Sequence, residues 1–308
     1  MKMSLRWTCY VGAAILVIAA VRGFGAQSQS TEVHIKFNSG QSIVPIYEGW
    51  ERVPDGSFNM VFGYMNRNHT QELSIPVGLQ NGFDPGPADR GQPTYFYPRE
   101  NHFLFRVNVP RGWEKNRELV WTIAANGKTE KAKATLLDIW EIDRKVEVSN
   151  NGGGGTNISN EQLFKDEPPK IAIEPVTKAT VGTAVTFSAT VTDDGIPPPN
   201  TKGRGQRKTE PTFDRGKDAS PSPVNVPMPE RPRPKPGISV WWFVWRGPAG
   251  VTFDPEGFVA VKDGKVSVSA TFAQPGTYII RAWASDSWLR TPADLTVTVA
   301  GNATSPGQ

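Results

Sequence analysis

Cysteine is almost missing from this chain. Its 308 residues hold one, Cys9, inside an apolar N-terminal stretch expected to be removed. The mature protein is therefore expected to have no disulfide, no cysteine nucleophile and no thiolate metal site. An exported protein without disulfides must rely on burial, so its domains are expected to be of ordinary size. Histidine is nearly as scarce: His34, His69 and His102 fall in no H-E-x-x-H or other ligand spacing, which leaves no legible zinc centre. No G-x-S-x-G nucleophile motif is present. The Gly127-Lys128-Thr129 tripeptide lacks the upstream glycine of a phosphate loop (Thr122 stands there), and no helix follows it. No stretch of 32–146 keeps a 3.6-residue period. The apolar run at 8–21 covers 14 residues, fewer than the about 20 a spanning helix needs.

What is present starts with an export signature. Lys2 and Arg6 precede the apolar run "TCYVGAAILVIAAV", and "RGFGA" follows with small residues near Ala26. This reads as a secretory signal peptide over 1–26, an uncleaved anchor being the alternative. Net charge is +4, but its location argues against nucleic acid as a partner. Lys2, Arg6 and Arg22 carry +3. Residues 196–236 hold nine bases and four acids, a further +5, so the rest of the chain carries −4. Glycine (30) and proline (27) make up nearly a fifth of the residues, which favours loop-rich β structure.

Alternation of apolar and polar residues then repeats along the chain. Phe58, Met60, Phe62 and Tyr64 form one stripe, Phe103, Phe105, Val107 and Val109 a second, and Leu119, Trp121, Ile123 and Ala125 a third. Period-2 patterning predicts strands with one buried face, and Asn126-Gly127 predicts a tight hairpin. We read 32–146 as an all-β domain of six to eight strands whose longest loop is 78–98. The Gly/Asn/Ser-rich stretch inside 147–169 reads as a flexible linker. A second β domain spans 170–300, interrupted by a Pro/basic insertion at 196–236 that has too few aliphatic residues to offset its ordering entropy and is expected to be disordered. Residues 301–308 form a tail. The fold class expected is all-β, two antiparallel β-sandwich domains joined by a Gly-rich linker.

In the second domain, "TVTDDGIP" (190–197), "VWWFVWRGPAGVTF" (240–253), "PGTYIIRAWASD" (275–286) and "LTVTV" (295–299) follow an order that resembles PKD-type (polycystic kidney disease repeat) Ig-like domains. The resemblance covers 170–300 without the insertion. It implies a seven-stranded sandwich with no catalysis of its own, acting as a spacer, adhesion or contact module. The first domain is similar to exported bacterial proteins through "FGYMNRN" (62–68) and "RGQPTYFYP" (90–98), a similarity that implies no activity.

Two groups of residues can carry chemistry. In an Ig-like order the strand ending at Thr192 and the strand ending at Asp286 finish at one end of the sandwich. Asp193, Asp194 and Asp286 can therefore converge, with Asp254 and Glu256 further off. A set of carboxylates plus carbonyls suits calcium, which takes six to eight oxygens. The plainer reading is that each aspartate bonds the backbone of its own turn, and apart from calcium no cofactor is expected. The second group is aromatic. Trp241, Phe243 and Trp245 point to one face of their strand, Trp242 to the other with Val240 and Val244, and Trp283 extends the first row. That row is either an exposed platform for a sugar or protein, or is covered by the first domain or the insertion. The function expected is an exported, non-enzymatic interaction, adhesion or spacer protein of the cell surface or periplasm, with a protein or polysaccharide partner and no membrane span once the signal is cleaved. The alternatives are a carbohydrate-binding protein using the Trp row, and an enzyme built on the 78–98 loop with Asp84, Asp89, Arg90 and His102.

Overall fold

The computed structural model describes residues 37–153, 160–198 and 237–301. The signal peptide expected at 1–26, nearly all of the 196–236 insertion and the tail beyond Gly301 lie outside the described residues.

Eight strands build the first region: β1 (Ile43–Arg52), β2 (Phe58–Asn66), β3 (Leu73–Ser74), β4 (Asn81–Asp84), β5 (Tyr95–Phe96), β6 (Arg99–Val109), β7 (Leu119–Ala125) and β8 (Lys128–Ala134). They pair antiparallel into sheets β1-β2-β6 and β4-β7-β8, with the short pair β3-β5. The alternating stripes supply the core between the sheets. Met60, Phe62, Phe105, Val107, Leu119, Trp121 and Ile123 are all buried there. Phe62 meets Phe83 edge-on and stacks at 5.7 Å on Phe105, while Trp121 stacks on Phe83. The β7–β8 hairpin turns at Asn126 and Gly127, with φ of 50° and 74°, the positive values that a two-residue primed turn demands.

A connecting segment follows, with helices α1 (Arg144–Val148) and α2 (Asn160–Lys165). Asp143 caps α1 by accepting from the amide of Val146 at 2.9 Å, and Pro168-Pro169 ends the helical path after α2. A flexible linker is expected over 147–169; Val148 and Leu163, on either side of its Gly-rich stretch, pack with Leu289 and Trp288 of the second region, and residues 154–159 lie outside the described residues.

Nine strands build that second region: β9 (Lys170–Ile173), β10 (Lys178–Thr180), β11 (Val185–Thr192), β12 (Ser239–Arg246), β13 (Val251–Asp254), β14 (Phe258–Ala260), β15 (Lys265–Phe272), β16 (Gly276–Ser285) and β17 (Arg290–Ala300). One sheet runs β13-β15-β11-β9 and the other β10-β17-β16-β12-β14, with β10 parallel to β17 and the other pairs antiparallel. This is an Ig-like sandwich. Its own core holds Phe187, Val240, Trp242, Val244, Phe272, Tyr278, Ile280 and Val297, the inward set that the strand parity of β12 predicts. The described residues from Phe37 onward belong to one compact unit.

Candidate functional site

The aromatic row is not an exposed platform. Trp241, Phe243, Trp245 and Trp283 are 9%, 4%, 3% and 2% exposed and belong to the same core as the first sandwich. The physical reason is simple: strand parity puts these rings outside the Ig-like core, and the first sandwich removes them from water. Tyr97 meets Phe243 edge-on, and Phe105 meets Trp245 at 5.8 Å. The crevice among Tyr64, Tyr97, Leu104 and Trp241 offers about 10 Å³, room for about one water and none for a sugar ring.

The 78–98 loop, read as a possible catalytic loop, is the polar rim of this seam. The Trp245 indole donates to the carbonyl of Gly91 at 3.1 Å, Arg246 donates through Nε to the carbonyl of Gln92, and the Val244 amide donates to the Tyr97 hydroxyl at 2.9 Å. Asp89 takes a two-pronged contact from Arg246 at 2.6 and 2.9 Å. That bond holds its carboxyl below the ordinary carboxylate range. Arg90 donates to the carbonyl of Pro85, and His102 pairs instead with Glu48 at 2.9 Å and Glu100 at 3.3 Å. Asp89, Arg90 and His102 thus serve three separate local structures.

The carboxylate end is different. Asp193, Asp194 and Asp286 sit in the loops that close β11 and β16, as the Ig-like order predicts. Each bonds its own turn. Asp193 Oδ2 accepts from the Gly195 amide at 2.9 Å, and Asp194 Oδ1 from Ile196 at 2.8 Å. Asp286 Oδ1 accepts from Trp288 and Leu289 at 2.6 and 2.7 Å. Gly195 takes φ of 83°, a conformation that favours glycine. The plainer expectation accounts for these oxygens and leaves others over.

A fourth carboxylate, which the sequence reading missed, joins them. Asp166 follows α2, is 2% exposed, and lies in a segment tied down on several sides. Arg144 donates to the carbonyls of Asp166 and Leu163, Asn151 donates to the carbonyl of Trp288 at 2.8 Å, and the Glu167 amide donates to Asp194 Oδ2 at 2.9 Å. Both Asp166 oxygens, Asp193 Oδ1 and Asp286 Oδ2 are buried with no protein partner. Burial, then repulsion from Asp286 and Asp194, pushes the Asp166 carboxyl up to about 8. Burial pushes Asp286 up to about 6 against its own amide bonds, with Asp193 and Asp194 adding repulsion. Burial also raises Asp193. These carboxylates feel one another electrostatically. Among the described residues, however, no three carboxylate, imidazole or thiol groups are already gathered as a metal sphere. Asp254 and Glu256 are exposed.

No family model and no curated protein matches the chain. Among solved structures it is similar to domains 4 and 5 of the S-layer protein SbsC, at 10% identity and TM-score 0.25 over 62% of this chain and 68% of that one. It is also similar to the fibronectin(III)-like modules of Clostridium thermocellum CbhA (9%, 0.24, 87% and 98%) and to the D00–D0 domain of intimin (11%, 0.24, 83% and 100%). These likenesses are coarse, so the Ig-like assignment of the second region stands on its strand order. The PKD resemblance gains no family match. No described helix is long and apolar enough to cross a membrane.

Proposed function

We propose that the protein is a non-enzymatic interaction or spacer protein of the cell surface or periplasm, with a protein or polysaccharide partner. The observation that carries this reading is the seam. Two sandwiches that could have been independent modules share one aromatic core, which suits a stiff body that holds or presents something at a fixed distance. Asp89, Arg90 and His102 of the catalytic reading are engaged in structural contacts, which favours scaffolding over chemistry. The export signature supports the location, and the names of the S-layer and intimin structures are compatible with it. The test is expression of the full chain with a C-terminal tag, followed by fractionation and protease shaving of intact cells. A shortened, exported product supports the reading; a full-length product that stays in the cytosol rejects it.

A second reading concerns the carboxylate end: calcium held with the help of Asp193, Asp194 and Asp286. The buried, unpartnered oxygens of Asp193 and Asp286 favour it, because a carboxylate is seldom taken from water without a cation or donor to meet it. Melting the protein with calcium chloride and with chelator tests it. A specific site raises the midpoint, and identical curves remove the metal.

A further inference from the structure

The carboxylate left most exposed to doubt by ordinary bonding is Asp166, and it does not belong to the sandwich. It stands on the connecting segment, just after α2. We infer that Asp166 turns the calcium site into a clasp, in which one cation bridges the connecting segment to the ends of β11 and β16 and so controls the docking of α2. This rests on the calcium reading above and goes beyond it, since that reading needs no residue outside the sandwich.

Asp166 is 2% exposed with neither oxygen bonded to protein, and Asp286 is 3% exposed with Oδ2 unpartnered. Together with Asp193 Oδ1 they bring four buried oxygens without protein partners, drawn from three separate segments. Asp194 has a positioning role: its Oδ2 takes the Glu167 amide at 2.9 Å, which holds the residue next to Asp166 beside the β11 loop. Calcium tolerates irregular spheres of six to eight oxygens, whereas magnesium demands a tight octahedron and gives up water reluctantly. Ligands that must be drawn in from three segments therefore select calcium. Carbonyls and water complete its sphere.

α2 is held by Arg144, which donates to the carbonyls of Leu163 and Asp166, and by the Glu167 amide on Asp194. Its apolar contact is a small cluster of Val148, Leu163 and Leu289 with Trp288, and Phe164 beside it is exposed. Burying Asp166 with neither oxygen bonded works against docking. A ligand that binds the docked form alone raises its share in proportion to concentration over Kd, about a hundredfold at a hundredfold excess. Calcium supplies the missing partner.

The test uses the full chain, titrated with calcium chloride by calorimetry, with amide hydrogen exchange followed over 160–166 in calcium and in chelator. The expected result is calcium binding, exchange over α2 slowed at least tenfold by calcium, and both effects reduced at least tenfold in Asp166→Asn. Asp286→Asn is expected to weaken binding as well. Calcium binding that is unchanged in Asp166→Asn, or α2 exchange indifferent to calcium in the wild type, overturns the clasp and leaves the metal reading standing. No calcium binding to the wild type overturns both. Circular dichroism of each variant verifies the fold, which Asp166→Asn is expected to keep because an amide has nearly the size and shape of the carboxyl it replaces.

Discussion

The seam between the sandwiches and the carboxylate end of the second one are both buried joints, and they solve burial in contrary ways. At the seam, rings face rings and most of the polar rim is paired, Arg246 with Asp89, the Trp245 indole with Gly91 and the Tyr97 hydroxyl with Val244, while Arg90 Nε is left without a partner. At the carboxylate end the backbone amides are bonded but four side-chain oxygens are not. The difference teaches where each joint gets its strength. The seam's comes from the chain itself, through apolar area at about 25 cal/mol per Å². The carboxylate end works against itself until something outside the chain arrives. Structural joints are expected to look like the first and regulated ones like the second.

The heaviest way to break the comparison is to cut the seam. Trp245 is 3% exposed, meets Phe105 and Phe243, and carries Arg281 over its ring at 3.5 Å. Trp245→Ala is expected to cost about 3–5 kcal/mol, the range of large aromatic deletions in cores. Urea denaturation checks it. The wild type is expected to unfold in one transition and the variant to split into two, because the shared core is what couples the sandwiches. A single transition at unchanged stability would show that the seam is idle.

The next effect has the opposite sign. In the metal-free protein, folded Asp166 holds a proton up to about pH 8, whereas the unfolded carboxylate releases it near its ordinary value of about 4. The folded state thus binds more protons between those limits. Stability is fully present below about pH 4 and falls as pH rises through about 8. Asp286, raised to about 6, adds a slope of the same sign over a narrower window. Asp166→Asn is expected to flatten most of the slope and to stabilise the chelated protein near pH 8 by roughly 2–4 kcal/mol. Calcium is expected to reverse the slope in the wild type, since the ligands must be ionised to bind. Chemical denaturation at several pH values, in chelator and in calcium, reads both.

Asn81 sharpens the comparison from the satisfied side. It is fully buried, yet its amide donates to the carbonyls of Ile75 and Pro93, and its oxygen accepts from the Trp121 indole. Asn81→Leu removes a charge-free polar group of similar size and strands those three partners. It is expected to cost about 1–3 kcal/mol, measured by thermal melting, where Asp166→Asn gains. If both substitutions moved stability in the same direction, bonding state would not be what separates the two sites.

Much of this was legible in the sequence because strand parity is a local rule. Period 2 assigned Trp242 and Val244 to one face of β12, and Trp241, Phe243 and Trp245 to the other, and the Asn-Gly turn placed a hairpin. Strand order raised the expectation that Asp193, Asp194 and Asp286 can meet at one sandwich end, although no three carboxylates are gathered as a metal sphere among the described residues. What covers a face is not local. Period 2 cannot say that Tyr97 and Phe105, far away in sequence, sit on Phe243 and Trp245. Composition likewise reports what the Gly-rich linker can do alone, whereas the packing of Val148 and Leu163 at its flanks depends on Leu289. Asp166 was missed because "FKDEPP" reads as a polar helix end. The one signal it gave was position, an acid just ahead of the first strand of a sandwich whose loops already carried three.

The smallest effect tests whether the pH slope belongs to the carboxylate end at all. His102 also titrates, and its hydrogen bond to Glu48, then the charge of Glu48 and the contact with Glu100, raise it against partial burial. A raised histidine contributes stability that is present below about pH 6.5 and lost as pH climbs through its folded value. That has the same sign as Asp166, so the two overlap in the wild type. The histidine is half-exposed, and its share is expected to be under about 1 kcal/mol. His102→Gln removes that share alone, and it should do so equally in calcium and in chelator, since none of the aspartates bonds to His102. A slope that calcium reverses just as fully after His102→Gln lies at the carboxylate end. A slope that vanishes with the histidine would move the pH dependence to the β1–β6 face and leave the buried aspartates silent.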